Sequence, residues 1–158
     1  MIDFCKIDDN NRSQVEGFFR EHWGAPIMIS RSRVHTVSNL DGFIMKDGDR
    51  IIGLATYSIT GTTCEIVSLN SILENHGVGS MLVNLVIEEA TKKGCKRLWL
   101  ITTNDNTIAI RFFQKRGFDM CGFFRDAVAD ARILKPEIPE RGCDGIAIRH
   151  ELEFERML

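Results

Sequence analysis

At 158 residues, 44% of them hydrophobic, the chain has the size of one domain and enough apolar side chains for a single core. Its formal net charge of −2 offers no basic surface for nucleic acid or an anionic membrane, and no apolar run approaches the ~20 residues of a spanning helix. The five cysteines include no CxxC pair and no Cys/His pair at ligand spacing, and the start MIDFCKIDDN does not read as a signal peptide. The expectation is a cytoplasmic protein with reduced thiols, no metal site, and neither nucleic acid nor membrane as a partner.

In chain order, residues 2–7 read as a short strand. Asn11 or Ser13 then opens a helix on which Val15, Phe18, Phe19, His22 and Trp23 share one face, and Gly24-Ala25-Pro26 ends it. Residues 27–40, IMISRSRVHTVSNL, fit neither periodicity and are polar for a core element. Residues 42–46 and 50–59 form a hairpin around Asp47-Gly48-Asp49, and Gly61-Thr62 turns the chain into another strand over 63–69. Gly77-Val78-Gly79 then leads into an amphipathic helix whose Val78, Met81, Leu82, Leu85, Val86 and Ala90 make an apolar stripe that stops before Gly94.

Residues 96–102, KRLWLIT, read as a buried strand, so 63–102 is a parallel, right-handed strand–helix–strand crossover. Asn104-Asp105-Asn106 supplies capping residues for a helix with Ile108, Ala109, Phe112 and Phe113 facing inward, followed by a strand over 118–124. Residues 125–145, with Pro136 and Pro139, read as a long connection with room for one helical turn. Alternation from Ile146 to Phe154 gives the last strand, on which His150 is expected in the core. The fold class is α/β with a mixed, twisted sheet, in one domain spanning 1–158.

A strand that feeds a glycine loop and a helix N-terminus presents unpaired backbone N–H groups at the positive end of a macrodipole, a site for phosphate. The P-loop would need lysine at the helix start, where the chain has Gly79-Ser80-Met81, and the dinucleotide fingerprint would need glycine where Leu82 stands. Instead, Glu74-Asn75-His76-Gly77-Val78-Gly79 resembles the Gln/Arg-x-x-Gly-x-Gly/Ala signature of the GNAT superfamily, the acetyl-CoA-dependent N-acyltransferases. A second family element, Asn-x-x-Ala followed by an aromatic pair and Gly-Phe, matches Asn106-Thr107-Ile108-Ala109 through Phe112-Phe113-Gln114-Lys115-Arg116-Gly117-Phe118.

The resemblance implies a GNAT-like domain, with about seven strands splayed between the fourth and fifth and about four flanking helices. It implies acetyl-CoA as co-substrate, its pyrophosphate on the N–H groups of His76, Gly77, Val78, Gly79 and Ser80. Its pantetheine arm would run along Leu69, Asn70 and Ser71, with Asn106 and Phe113 beside it; Asn106 reads equally as a helix N-cap. The backbone N–H of Leu69 would polarise the thioester carbonyl. Glu65, on the fourth strand and four residues before Leu69, is placed by alternation on the same face. It is the candidate general base for an amine that is protonated at neutral pH, or else a group that binds the acceptor.

The acceptor would be a small-molecule or peptide amine, with Trp23, Arg31, His35 and Tyr57 as pocket candidates. The protein would act as a monomer or homodimer. Two departures stand out. The family's usual general-acid tyrosine matches Phe113, which has no proton to give, and Glu74 stands where Gln or Arg is usual. The rival reading is a coenzyme A-binding sensor or scaffold module without turnover.

Overall fold

In the computed structural model, which describes residues 1–73 and 76–158, the meander expected from the sequence is the centre of a seven-stranded mixed sheet. Across the sheet run β1 (Ile2–Lys6), β4 (Asp41–Asp47), β5 (Arg50–Thr60), β6 (Thr63–Ser71), β7 (Arg97–Thr103), β9 (Glu151–Met157) and β8 (Asp119–Phe124). The numbering leaves room for a separate hairpin, β2 (Ile27–Ser30) with β3 (Arg33–Thr36). Four helices complete the described residues: α1 (Arg12–Trp23), α2 (Val78–Lys92), α3 (Thr107–Lys115) and α4 (Ala127–Leu134). None of them is long and apolar enough to cross a membrane.

The sheet buries both faces. The apolar stripe of α2 meets Phe43, Ala55, Tyr57, Cys64 and Ile66 on one face, and α1 sets Val15, Phe18 and Phe19 against Ile44 and Leu54 on the other. Each valine, leucine, isoleucine or phenylalanine among them contributes ~1.5–3 kcal/mol when fully buried. These stripes, rather than caps, hold the two helices, since neither Asn11 nor Gly77 makes a side-chain cap bond.

Two irregularities position the site. On β6 and β5, Tyr57 lies opposite Ile66 but Thr56 lies opposite Ser68, so Val67 is an extra residue, a β-bulge. The bulge reverses the alternation, and the shared face expected for Glu65 and Leu69 is corrected: Leu69 packs into the α2-side core while Glu65 faces the other way. The second irregularity is a splay. β6 and β7 pair only from Thr63↔Arg97 to Ile66↔Leu100, although β6 continues to Ser71 and β7 to Thr103. The gap expected between these strands therefore opens one residue beyond Glu65.

Three other expectations change. Residues 27–36 form the β2–β3 hairpin, whose two-residue turn puts Arg31 at φ 48 and Ser32 at φ 61, left-handed values usually given to glycine or asparagine. The connection after β8 holds α4, two turns long. The last strand starts at Glu151 rather than Ile146, because the preceding segment bonds to a side chain. The Asn104 amide oxygen accepts from the N–H groups of Arg149 and His150, both at 2.9 Å, and its Nδ2 donates to Ala147 O.

Candidate functional site

A cleft of about 690 Å³ opens where β6 parts from β7 and the N-termini of α2 and α3 converge. Gly77, at φ 73, takes the chain from its loop into α2, whose first intrahelical bond runs from Met81 N–H to Gly77 O. The N–H groups of Val78, Gly79 and Ser80 precede that bond and have no intrahelical acceptor. All four residues line the cleft; His76, expected with them, is exposed and is absent from the lining. Glu74, with the departure noted there, lies outside the described residues.

Leu69 and Ser71 line the same cleft from β6. Ile72 N–H donates to Ile52 O on the β5 side, so by strand alternation the N–H groups of Asn70 and Ser68 also turn to β5. Those of Leu69 and Ser71 turn to the unpaired edge. Of the three positions expected along the pantetheine arm, Asn70 alone is absent from the lining. Asn106 is the N-cap of α3, its Oδ1 accepting Ala109 N–H at 3.1 Å, and it also lines the cleft. Phe113 sits at the cleft's base, edge-on to Phe112 and Phe118.

Arg116 was not singled out as a site residue in the sequence. Its guanidinium lies 3.5 Å from the centre of the Phe112 ring, and its Nε donates to Ser80 Oγ at 2.9 Å. The signal was available, since Phe112 and Arg116 stand four apart on one helix face. Burial, and then Arg111, lower the Arg116 pKa. With Lys115 it also lines an adjoining cavity of about 340 Å³.

On the opposite face Glu65 is only 3% exposed, and β2 lies over β6. Ser30 Oγ donates to Glu65 Oε2 at 2.6 Å. Because that hydroxyl has one hydrogen, its oxygen is left to accept from His35 Nε2 at 3.2 Å. His35 Nε2 is also 3.3 Å from Glu65 Oε1, but with its hydrogen aimed at Ser30 it leaves Oε1 buried and without a hydrogen bond. A serine that gives its proton to a carboxylate, rather than to the imidazole, is not an activated nucleophile. The cluster holds Glu65 with Oε2 accepting the Ser30 hydroxyl and Oε1 free of a hydrogen-bond donor.

The next residue of the hairpin reaches the other side of the gap. Arg31 stacks 3.4 Å over the Phe124 ring of β8, and its Nη1 is 3.6 Å from Glu151 Oε1 on β9. The hairpin tip thus straddles the splay, with Ser30 on β6 and Arg31 on β9 and β8. Of the four pocket candidates, Arg31 and His35 join Glu65. Tyr57 lies in the core on the α2 face, its hydroxyl pKa raised by burial, and Trp23 packs against the core under α1. Among the described residues no three His, Cys, Asp or Glu side chains gather closely enough to hold a metal ion.

Glu151 and Ser30 escaped the sequence reading. Glu151 is 3% exposed, and burial pushes its carboxyl pKa up; Arg31 pulls it part of the way back and the Glu65 charge raises it again. A carboxyl held above its unfolded value gives stability that is complete below ~4.3 and is lost as pH rises through the folded value. Glu151→Gln, which does not ionise, is expected to melt at a higher temperature than the parent at about pH 8, with the gain vanishing near about pH 4. A Tm difference that is the same at both pH values contradicts this.

Sequence comparison matches residues 8–118 to the model of the acetyltransferase (GNAT) family. The uncharacterized protein YdhI of Bacillus subtilis (strain 168) is 47% identical over 148 residues, covering 93% of this chain and 92% of that protein. Among solved structures, the IAA acetyltransferase from Bacillus cereus ATCC 14579 superposes with a TM-score of 0.74 at 18% identity, covering all of both chains. A GNAT family acetyltransferase from Elizabethkingia anophelis with acetyl-CoA bound gives 0.70 at 18% identity, over 99% of this chain and 98% of that one.

Proposed function

The chain belongs to the acetyltransferase (GNAT) family, and on that premise we propose that it transfers an acetyl group from acetyl-CoA to a primary amine by direct attack in a ternary complex. The observation that carries this reading is the placement of Glu65, buried and with one oxygen unbonded, one residue from the point where β6 and β7 part. The diphosphate of the coenzyme sits on the N–H groups that open α2, where Arg116 adds positive charge. The pantetheine arm follows the exposed edge of β6, and Leu69 N–H donates to the thioester oxygen as it becomes an oxyanion. That the Elizabethkingia relative was solved with acetyl-CoA bound supports this choice of co-substrate.

The acceptor enters as an ammonium and gives a proton to Glu65 Oε1. Its nitrogen lone pair then attacks the thioester carbon, the C–S bond breaks to release coenzyme A as its thiolate, and the acylated nitrogen sheds its extra proton to solvent to give the neutral amide. Phe113 offers no proton to the departing sulfur, but a thiol pKa of ~8.5 lets the thiolate leave near neutral pH. The same phenylalanine favours a second reading, a coenzyme-binding module without turnover.

Thiol release from acetyl-CoA separates the two. With a panel of alkylamines, amino acids, aminoglycosides and peptides, release above the rate of hydrolysis is expected for at least one acceptor, together with an N-acetylated product of the matching mass. Tight coenzyme binding with no release for any acceptor would favour the module.

A further inference from the structure

We propose that the acceptor is recognised as an alkylammonium cation held between Glu65 and Glu151, and that amines carrying a carboxylate beside the amino group are rejected. This rests on the reading of Glu65 as the proton acceptor. The two carboxylates belong to strands on opposite sides of the gap, β6 and β9, and consecutive hairpin residues touch them, Ser30 on Glu65 and Arg31 on Glu151. Both are 3% exposed, so water screens neither well.

Permanent positive charge is scarce around the pair. Among the described residues Arg31 is the one permanent cation in contact with the pair, and its guanidinium is shared between Glu151 and the face of Phe124. His35 gives its Nε2 hydrogen to Ser30 rather than to Glu65. Further along the same face Arg97 is already taken by Glu153 and Glu155. Two buried carboxylates thus share one guanidinium, and Glu65 Oε1, 3.3 Å from His35 Nε2, is a buried acceptor with no hydrogen-bond donor. A single ammonium supplies both the charge and the donor.

An α- or β-amino acid would bring a further carboxylate next to Glu65 and Glu151. Like charges brought together in a buried site cost enough to lower kcat/KM by ~10-fold or more. Glu151 thus acts on which amine is chosen, while Glu65 handles the proton.

The test compares n-butylamine with β-alanine, which are close in length and differ in the carboxylate. Thiol release is expected to favour n-butylamine at least ~10-fold in kcat/KM, and Glu151→Gln to shrink that ratio, chiefly through a higher KM for n-butylamine. If β-alanine is used as well or better, or if Glu151→Gln leaves the ratio unchanged, the inference is overturned while acetyl transfer stands. If neither amine releases thiol, saturation-transfer NMR on the coenzyme A complex decides. Binding of n-butylammonium weakened by Glu151→Gln supports the cation site even without turnover; no binding, or binding indifferent to Glu151, overturns it.

Discussion

Replacing Glu65 with glutamine is expected to lower kcat by ~10²–10⁴-fold while coenzyme A binds as before, because positioned proton transfer is worth that much and the side chain faces away from the coenzyme cleft. The substitution is nearly isosteric. Glutamine still accepts the Ser30 hydroxyl through its amide oxygen, so the hairpin keeps its anchor on β6. What disappears is the basic oxygen. A loss in kcat that persists at saturating amine, with unchanged coenzyme affinity and a stability close to the parent's, identifies a role in the chemical step. A loss confined to KM would instead make Glu65 a binding group, and an unaltered rate would remove it from the mechanism.

The second large effect is expected at a glycine far from the chemistry in sequence. Gly53 on β5 lies opposite Ser71, and a Cβ built there would stand 2.5 Å from Val78 Cγ1 and 3.0 Å from Leu82 Cδ1. Val78 and Leu82 are 2% and 0% exposed, so neither has room to yield. Gly53→Val therefore has to lift the first turn of α2, the turn whose N–H groups receive the diphosphate. Overpacking of this kind costs ~1–3 kcal/mol of stability, and coenzyme affinity should fall by ~10-fold or more as the donors move. Gly17→Ala, on α1 with no atom within 4 Å of the new methyl, serves as the control and should leave coenzyme affinity unchanged. Equal affinities in the two variants would show that the sheet does not set the position of the loop.

These two residues also show where the sequence could and could not be read. The elements around the glycine loop are local features: the Asp47-Gly48 turn, the apolar stripe of α2 and the Asn106 cap each follow from residues within a few positions of one another. The bulge at Val67 does not. It depends on how β6 meets β5, and a count of alternating residues passes over it, which is why Glu65 and Leu69 fall on opposite faces. The hairpin over the gap was hidden for a related reason, since its turn uses Arg31 and Ser32 at left-handed φ where glycine or asparagine would have signalled it.

Glu151 looked like one more polar residue in an alternating strand. Its burial comes from a hairpin about 120 residues earlier in the chain, and no local pattern carries that information. Asn104 read as a helix cap because it precedes one, yet its amide holds residues 147–150 in place of a strand partner. Side chains that bond across the fold take their roles from tertiary neighbours.

The most direct measurement is a titration of ¹⁵N-labelled protein with coenzyme A, followed by backbone amide shifts. The amides of Val78, Gly79 and Ser80 are expected to move furthest downfield as they bind the diphosphate, joined by Leu69 and Ser71 as the pantetheine arm enters the gap between β6 and β7. Saturable binding that leaves those five signals in place and shifts a different set would contradict the account at its root.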